Sequence, residues 1–107
     1  FTPQRRQNIR TRGQELVERL GGLADATNGA ITGAQGTGLL LSCELHSRYK
    51  VYGANSTEEY LRKHGLGVIH GGEHSLRYTP VFDIGATEVD LIVDLTRDAL
   101  LHGPVEK

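Results

Sequence analysis

A chain of 107 residues with 37% hydrophobic and 23% charged residues suffices for one domain around one modest core. Its formal net charge of -1, from 12 basic and 13 acidic residues, argues against a dedicated nucleic-acid binder. The single cysteine, Cys43, excludes an intrachain disulfide framework and fits a reduced, cytoplasmic setting. No apolar run approaches the roughly 20 residues of a membrane span, and the first residues lack the apolar core of a secretory signal. The sequence contains no methionine, which suggests a piece of a longer polypeptide.

The first predicted element is a helix. Thr2 can cap it, and Pro3 suits the first helical position, where its missing N–H costs nothing. Ile9, Leu16, Val17, Leu20 and Leu23 recur at helical spacing, with Gly13 close to that face. Arg5, Arg6, Arg10, Arg12 and Arg19 read as a solvated face. The helix should fray at Gly21-Gly22 and end by Asn28-Gly29.

A short strand follows over Ile31–Ala34, then a bend or bulge at Gly36-Thr37-Gly38. Leu39–Leu45 is the best strand. Leu39, Leu41, Cys43 and Leu45 fall on one face; Leu40, Ser42, Glu44 and His46 fall on the other. After a loop over Ser47–Asn55, Ser56 and Glu59 form a capping box for a short helix that stops at Gly65. Leu66–His70 and Ser75–Val81 read as a hairpin around Gly71-Gly72-Glu73-His74. Thr87 with Asp90 should start a last helix, whose buried stripe is Leu91, Ile92, Leu95 and Ala99 and whose end is His102-Gly103-Pro104. This order implies an α+β fold, a small and mainly antiparallel sheet with helices packed on one face.

The chemistry concentrates at Ser75-Leu76-Arg77-Tyr78-Thr79-Pro80. If Leu76 and Tyr78 face the core, Arg77 points the other way from a rigid strand. There a guanidinium can grip a carboxylate with two parallel hydrogen bonds, or simply pair with a surface acid. His64, His70 and His74, with Glu73, match no dense metal-ligand spacing, so no metal site is expected. His70 and His74 should lie near the Arg77 side of the hairpin. Gly33-Ala34-Gln35-Gly36-Thr37-Gly38 resembles a phosphate loop, but a strand follows it where a helix is needed. Cys43 should be an inert core thiol. No catalytic constellation stands out.

Two stretches carry a family resemblance. Gln35-Gly36-Thr37-Gly38-Leu39-Leu40-Leu41-Ser42-Cys43-Glu44-Leu45 resembles the "RGxGLLxGIEL" strand of class III aminotransferases. Gly67-Val68-Ile69-His70, His74-Ser75-Leu76-Arg77-Tyr78-Thr79-Pro80 and Thr87-Glu88-Val89-Asp90 resemble that family's final hairpin and helix, "GVLV…NVLRFxPPLxIxxxEID". The helix through Glu15–Leu20 fits the one preceding the first motif. Gln35 stands where the family has arginine, and Val81 replaces its second proline.

The resemblance implies that residues 1–107 form the C-terminal small domain of a fold-type I enzyme of the acetylornithine and ornithine aminotransferase type. The large domain, absent here, would hold pyridoxal phosphate on a lysine. The partners implied are that large domain of the same polypeptide, a homodimer mate and an amino-acid substrate. Arg77 matches the arginine that binds a substrate carboxylate in many members. The cofactor lysine, its aspartate partner and the phosphate loop have no counterparts; Lys50, Lys63 and Lys107 lie in other contexts. The different-class alternative is a stand-alone α+β module that binds a ligand or a protein without catalysis. A coding region upstream for a lysine-bearing large domain would favour the first reading, and a start codon just before Phe1 the second. The chain alone should bind no pyridoxal phosphate: mixing the two should give no internal-aldimine absorbance band and no lysine trapped by borohydride.

Overall fold

The computed structural model describes residues 2–37, 40–72, 74–78 and 85–105. Helix α1 spans Pro3–Ala26, with the Thr2 hydroxyl accepting from Arg5 N at 3.1 Å. It does not fray at Gly21-Gly22 but continues to Ala26. Two glycines in a helix cost about 1 kcal/mol each. Leu20 and Leu23, buried on either side, keep this turn pinned to the core. The helix stops where Asn28 and Gly29 turn left-handed at φ 55° and 73°, and Gly29 N bonds back to Ala24 O at 2.8 Å.

Strands β1 (Ile31–Thr37) and β2 (Leu40–Leu45) pair antiparallel. Gly36 and Thr37 lie in regular register with Leu41 and Leu40. Of the expected bend or bulge at Gly36-Thr37-Gly38, Gly36 and Thr37 carry no bulge and Gly38 lies outside the described residues; the register irregularity is at the other end, between Ile31 and Gly33. Strict alternation would put Ile31 on the face of Gly33 and Gln35. The extra residue at Thr32 switches the face, so Ile31 joins Leu45 in the core, 5% exposed. Leu41, Cys43 and Leu45 are buried and Leu40 is 60% exposed, as alternation predicts; Leu39 and Gly38 lie outside the described residues.

The segment after β2 is bolted down. Arg48 Nη2 donates to Thr27 O and Asn28 O at 3.1 and 3.0 Å, closing the end of α1. The buried Tyr49 hydroxyl donates to Leu100 O at 2.6 Å. Helix α2 (Thr57–Lys63) is capped by Ser56 Oγ, which accepts from Glu59 N at 3.1 Å. The reciprocal half of the box is displaced by one residue: Glu59 Oε1 accepts from Asn55 N at 3.4 Å. Lys50 O and Val51 O take the next two free donors, Thr57 N and Glu58 N, both at 2.9 Å.

Strands β3 (Ile69–His70) and β4 (Ser75–Tyr78) form the expected antiparallel hairpin, β3 being shorter than the expected Leu66–His70. Thr79, Pro80 and Val81, expected to extend the strand, and Glu73 of the turn lie outside the described residues. Sheet order is β1-β2-β4-β3, with every pairing antiparallel. Helix α1 lies on β1 and β2 and against α3 (Ala86–His102), which also meets α2. This is the expected α+β layer.

Helix α3 corrects two expectations. Its N-cap is Gly85, whose N–H donates to Glu88 Oε2 at 3.0 Å; Thr87 and Asp90 already lie inside the helix. Leu91, expected in the core, is 56% exposed; the stripe is Val89, Ile92, Val93, Thr96, Ala99 and Leu100, with Leu95 at its margin. Thr96 disguised that phase. It is fully buried because its hydroxyl shares a 2.9 Å hydrogen bond with the Tyr78 hydroxyl. Asp90, on the outer side, pairs with Arg19 of α1. Ile9, also expected in the core, is only half-buried.

Burial, and secondarily the neighbouring Glu44 charge, push the Cys43 thiol up to about 12. Burial likewise raises the Tyr78 phenol far above its ordinary value, with Cys43 adding to the effect and the Thr96 hydrogen bond opposing it. Cys43 therefore fits the expected inert thiol.

Two predictions follow from this packing. Leu41→Ala should cost about 2–5 kcal/mol in a denaturant melt, whereas Leu91→Ala should stay within about 0.5 kcal/mol. The second concerns alkaline pH. A raised folded pKa means that the neutral thiol stabilises the fold fully below the unfolded value of 9.0, and that this is lost as pH rises towards about 12. Stability should thus fall through that window, and less steeply in Cys43→Ala, measured by melts at a series of pH values.

Candidate functional site

The alternation of β4 decides the site. Leu76 and Tyr78 are 0% and 1% exposed beneath the sheet, so Arg77 between them is thrown onto the opposite face. No described helix covers that face. β4 lies between β2 and β3, so the backbone carrying Arg77 is hydrogen-bonded into the sheet on both sides. Register aligns four residues in one row across the sheet: Gln35 opposite Ser42, Ser42 opposite Arg77, and Arg77 opposite Ile69.

A shallow hollow of about 430 Å³ opens at this row, lined by Gln35, Gly36, Leu40, Leu41, Ser42 and Arg77. Gly36 leaves room for its own hairpin partner: a Cβ there would lie 2.4 Å from Leu41 Cδ2 and 2.9 Å from Leu40 O. The lining thus combines one guanidinium, one amide, one hydroxyl and the exposed apolar edge of Leu40. A permanently positive planar fork beside neutral donors suits a carboxylate. Among the described residues, the Arg77 side chain has no hydrogen-bond or ion-pair partner.

The sequence had identified Arg77 alone. Ser42 could be assigned to the outer face by alternation. That Arg77 joins Gln35 and Ser42 in one row depends on the register between β2 and β4, which are separated by a helix, and no local pattern encodes it.

The histidines are placed differently from expectation. His70 pairs with Leu76 and so lies on the helix side of the sheet, not on the Arg77 side. Its Nδ1 is 2.9 Å from Glu58 Oε2 of α2, and its ring stacks on Tyr52 with centroids 4.3 Å apart. The physical reason is the short edge strand: His70 can reach past the sheet to α2. His64 stacks on Tyr60 at 4.2 Å, and Tyr60 donates its hydroxyl to Asp98 Oδ2 at 2.7 Å. His74 is exposed in the turn. Among the described residues, no three or more His, Cys, Asp or Glu side chains gather as a metal would need. No described helix is long and apolar enough to cross a membrane.

A pyridoxal phosphate does not fit the residues present. Among the described residues, neither a lysine nor an acid lines the Arg77 hollow. Lys63 is engaged with Glu59 at 3.3 Å on α2, Lys50 is exposed near Gly53, and Lys107 lies outside the described residues. The glycine-rich stretch that resembles a phosphate loop is strand β1 in its described part.

Comparison with known proteins adds an independent line. The acetylornithine aminotransferase of Thermosynechococcus vestitus is 31% identical over 96 residues, covering 90% of this chain and 23% of that protein. The fold matches N-acetylornithine aminotransferase from Stenotrophomonas maltophilia with a TM-score of 0.79 at 20% identity, over 92% of this chain and 27% of that one. It matches ornithine aminotransferase from Plasmodium yoelii with a TM-score of 0.72 at 18% identity, over 87% of this chain and 24% of that one. No family model matches the chain. The chain spans about a quarter of the length of these relatives. The order of the motifs, the sequence match and the shared α+β fold agree: over most of its length this chain is similar to one segment of the acetylornithine and ornithine aminotransferases.

Proposed function

We propose that residues 1–107 are the C-terminal small domain of a pyridoxal-phosphate-dependent aminotransferase, and that Arg77 binds the substrate carboxylate. One observation carries this reading. Arg77 projects from a central strand into a hollow on a sheet face that no described helix of this chain covers, and no described side chain neutralises it. A guanidinium unpaired among the described residues, on the sheet face that also carries Ser42 and Gln35, is available to an anionic group brought from outside the chain.

In this reading a large domain of the same polypeptide supplies the cofactor lysine, and a second subunit completes a cytoplasmic homodimer. Pyridoxal phosphate there would supply the electron sink for amino transfer. This chain's contribution is binding and orientation. Arg77 fixes one end of the amino acid, so that the reacting end is held in place. The exposed Leu40 and Ile69, 60% and 56% accessible on the same face, would be covered when the small domain closes over the active site and excludes water.

Arg77→Lys in the full-length enzyme separates binding from folding. A lysine keeps the charge and loses the two-pronged geometry. The kcat/KM for the amino acid should fall roughly 30- to 150-fold, equivalent to about 2–3 kcal/mol of a charge-assisted contact. An amine substrate without a carboxylate should be nearly unaffected, and the melting midpoint unchanged. Equal losses for both substrates would make Arg77 structural; unchanged kinetics would remove it from the active site.

A further inference from the structure

We infer that Gly71 is a positioning residue for Arg77: its missing side chain is the seat on which the arginine stem rests. This rests on the carboxylate-binding reading of Arg77. The hairpin register sets Ile69 opposite Arg77, so Gly71, two residues on, lies diagonal to Arg77 on the same sheet face. A Cβ on Gly71 would lie 2.3 Å from Arg77 Nε, 3.0 Å from Cδ and 3.1 Å from Cγ. The stem therefore occupies the volume that any other residue would fill.

The glycine is not required by its backbone. Gly72 beside it has φ +73°, in the left-handed region, whereas Gly71 does not. Nor is a strand hydrogen bond at stake, because Gly71 N donates to Ser75 O at 2.8 Å and alanine would keep that bond. What an alanine meets is the flexible stem of Arg77, not backbone. The stem can swing aside at little cost in stability, but the guanidinium then leaves the place it holds above the β3 side of the sheet. A displacement near 1 Å is enough to weaken a positioned contact substantially.

Gly67 supplies the control, since a Cβ there meets nothing within 4 Å and its φ is not left-handed. Gly71→Ala and Gly67→Ala should melt alike. In the full-length enzyme, Gly71→Ala should raise KM for the amino acid roughly tenfold with kcat retained, and leave a carboxylate-free amine untouched. Gly67→Ala should change neither. On the isotope-labelled enzyme, the Nε–Hε resonance of Arg77, assigned by its loss in Arg77→Lys, should shift in Gly71→Ala and stay in place in Gly67→Ala. An unmoved Arg77 resonance in Gly71→Ala overturns the seat. So does selective loss in Arg77→Lys without selective loss in Gly71→Ala. If Arg77→Lys itself affects both substrates equally, the carboxylate reading falls and the positioning role falls with it.

Discussion

The structure depends on one buried hydroxyl pair. Tyr78 and Thr96 are fully buried, and their 2.9 Å hydrogen bond joins strand β4 to helix α3. A phenol in an apolar interior loses its water and must find a protein partner; an orphaned hydroxyl would cost about 1–3 kcal/mol. The pair fixes which face of β4 is inside. It also fixes the rotation of α3, because Thr96 must point at the sheet. With Tyr78 inward, Arg77 can only point outward.

The same principle of polar anchors inside an apolar layer recurs at the other joints. Tyr49 reaches the Leu100 carbonyl and Arg48 the two carbonyls that end α1. Together they turn Ser47–Asn55, a basic and aromatic loop by composition, into a brace between the ends of α1 and α3. The polar groups of Arg48 and Tyr49 are consumed in closing helix ends. Arg77 is different because its strand gives it no such end to close. The sheet is covered by helices on one face, and the functional reading concerns the other.

That contrast bears on the proposed role of a chain that spans about a quarter of the length of the aminotransferase it resembles. In the proposed reading it carries a guanidinium above the sheet and leaves the chemistry to groups elsewhere. The outer row of Gln35, Ser42, Arg77 and Ile69 passes from polar to charged to apolar within one sheet width. Gln35, where relatives of the family pattern have arginine, leaves Arg77 as the only cation lining the hollow among the described residues.

Local pattern was sufficient wherever one residue type has one physical use. Thr2 before Pro3 begins α1, Ser56 caps α2, and the alternation of Leu41, Cys43, Leu45 and of Leu76, Tyr78 selects the buried faces, all from sequence. The order of motifs was enough to indicate the resemblance to aminotransferases. Tertiary structure decided what depends on neighbours distant in the chain. Thr96 reads as polar until Tyr78 is placed beneath it, and that contact turns α3 so that Leu91 is exposed. The bulge at Thr32 exists to bring Ile31 into the core, which cannot be known before the register with β2 is fixed. His70 meets Glu58 because α2 folds back beside the edge strand. The row through Arg77 and its seat on Gly71 arises only from strand pairing, because alternation gives the face of a residue while hydrogen-bond register alone gives its neighbours.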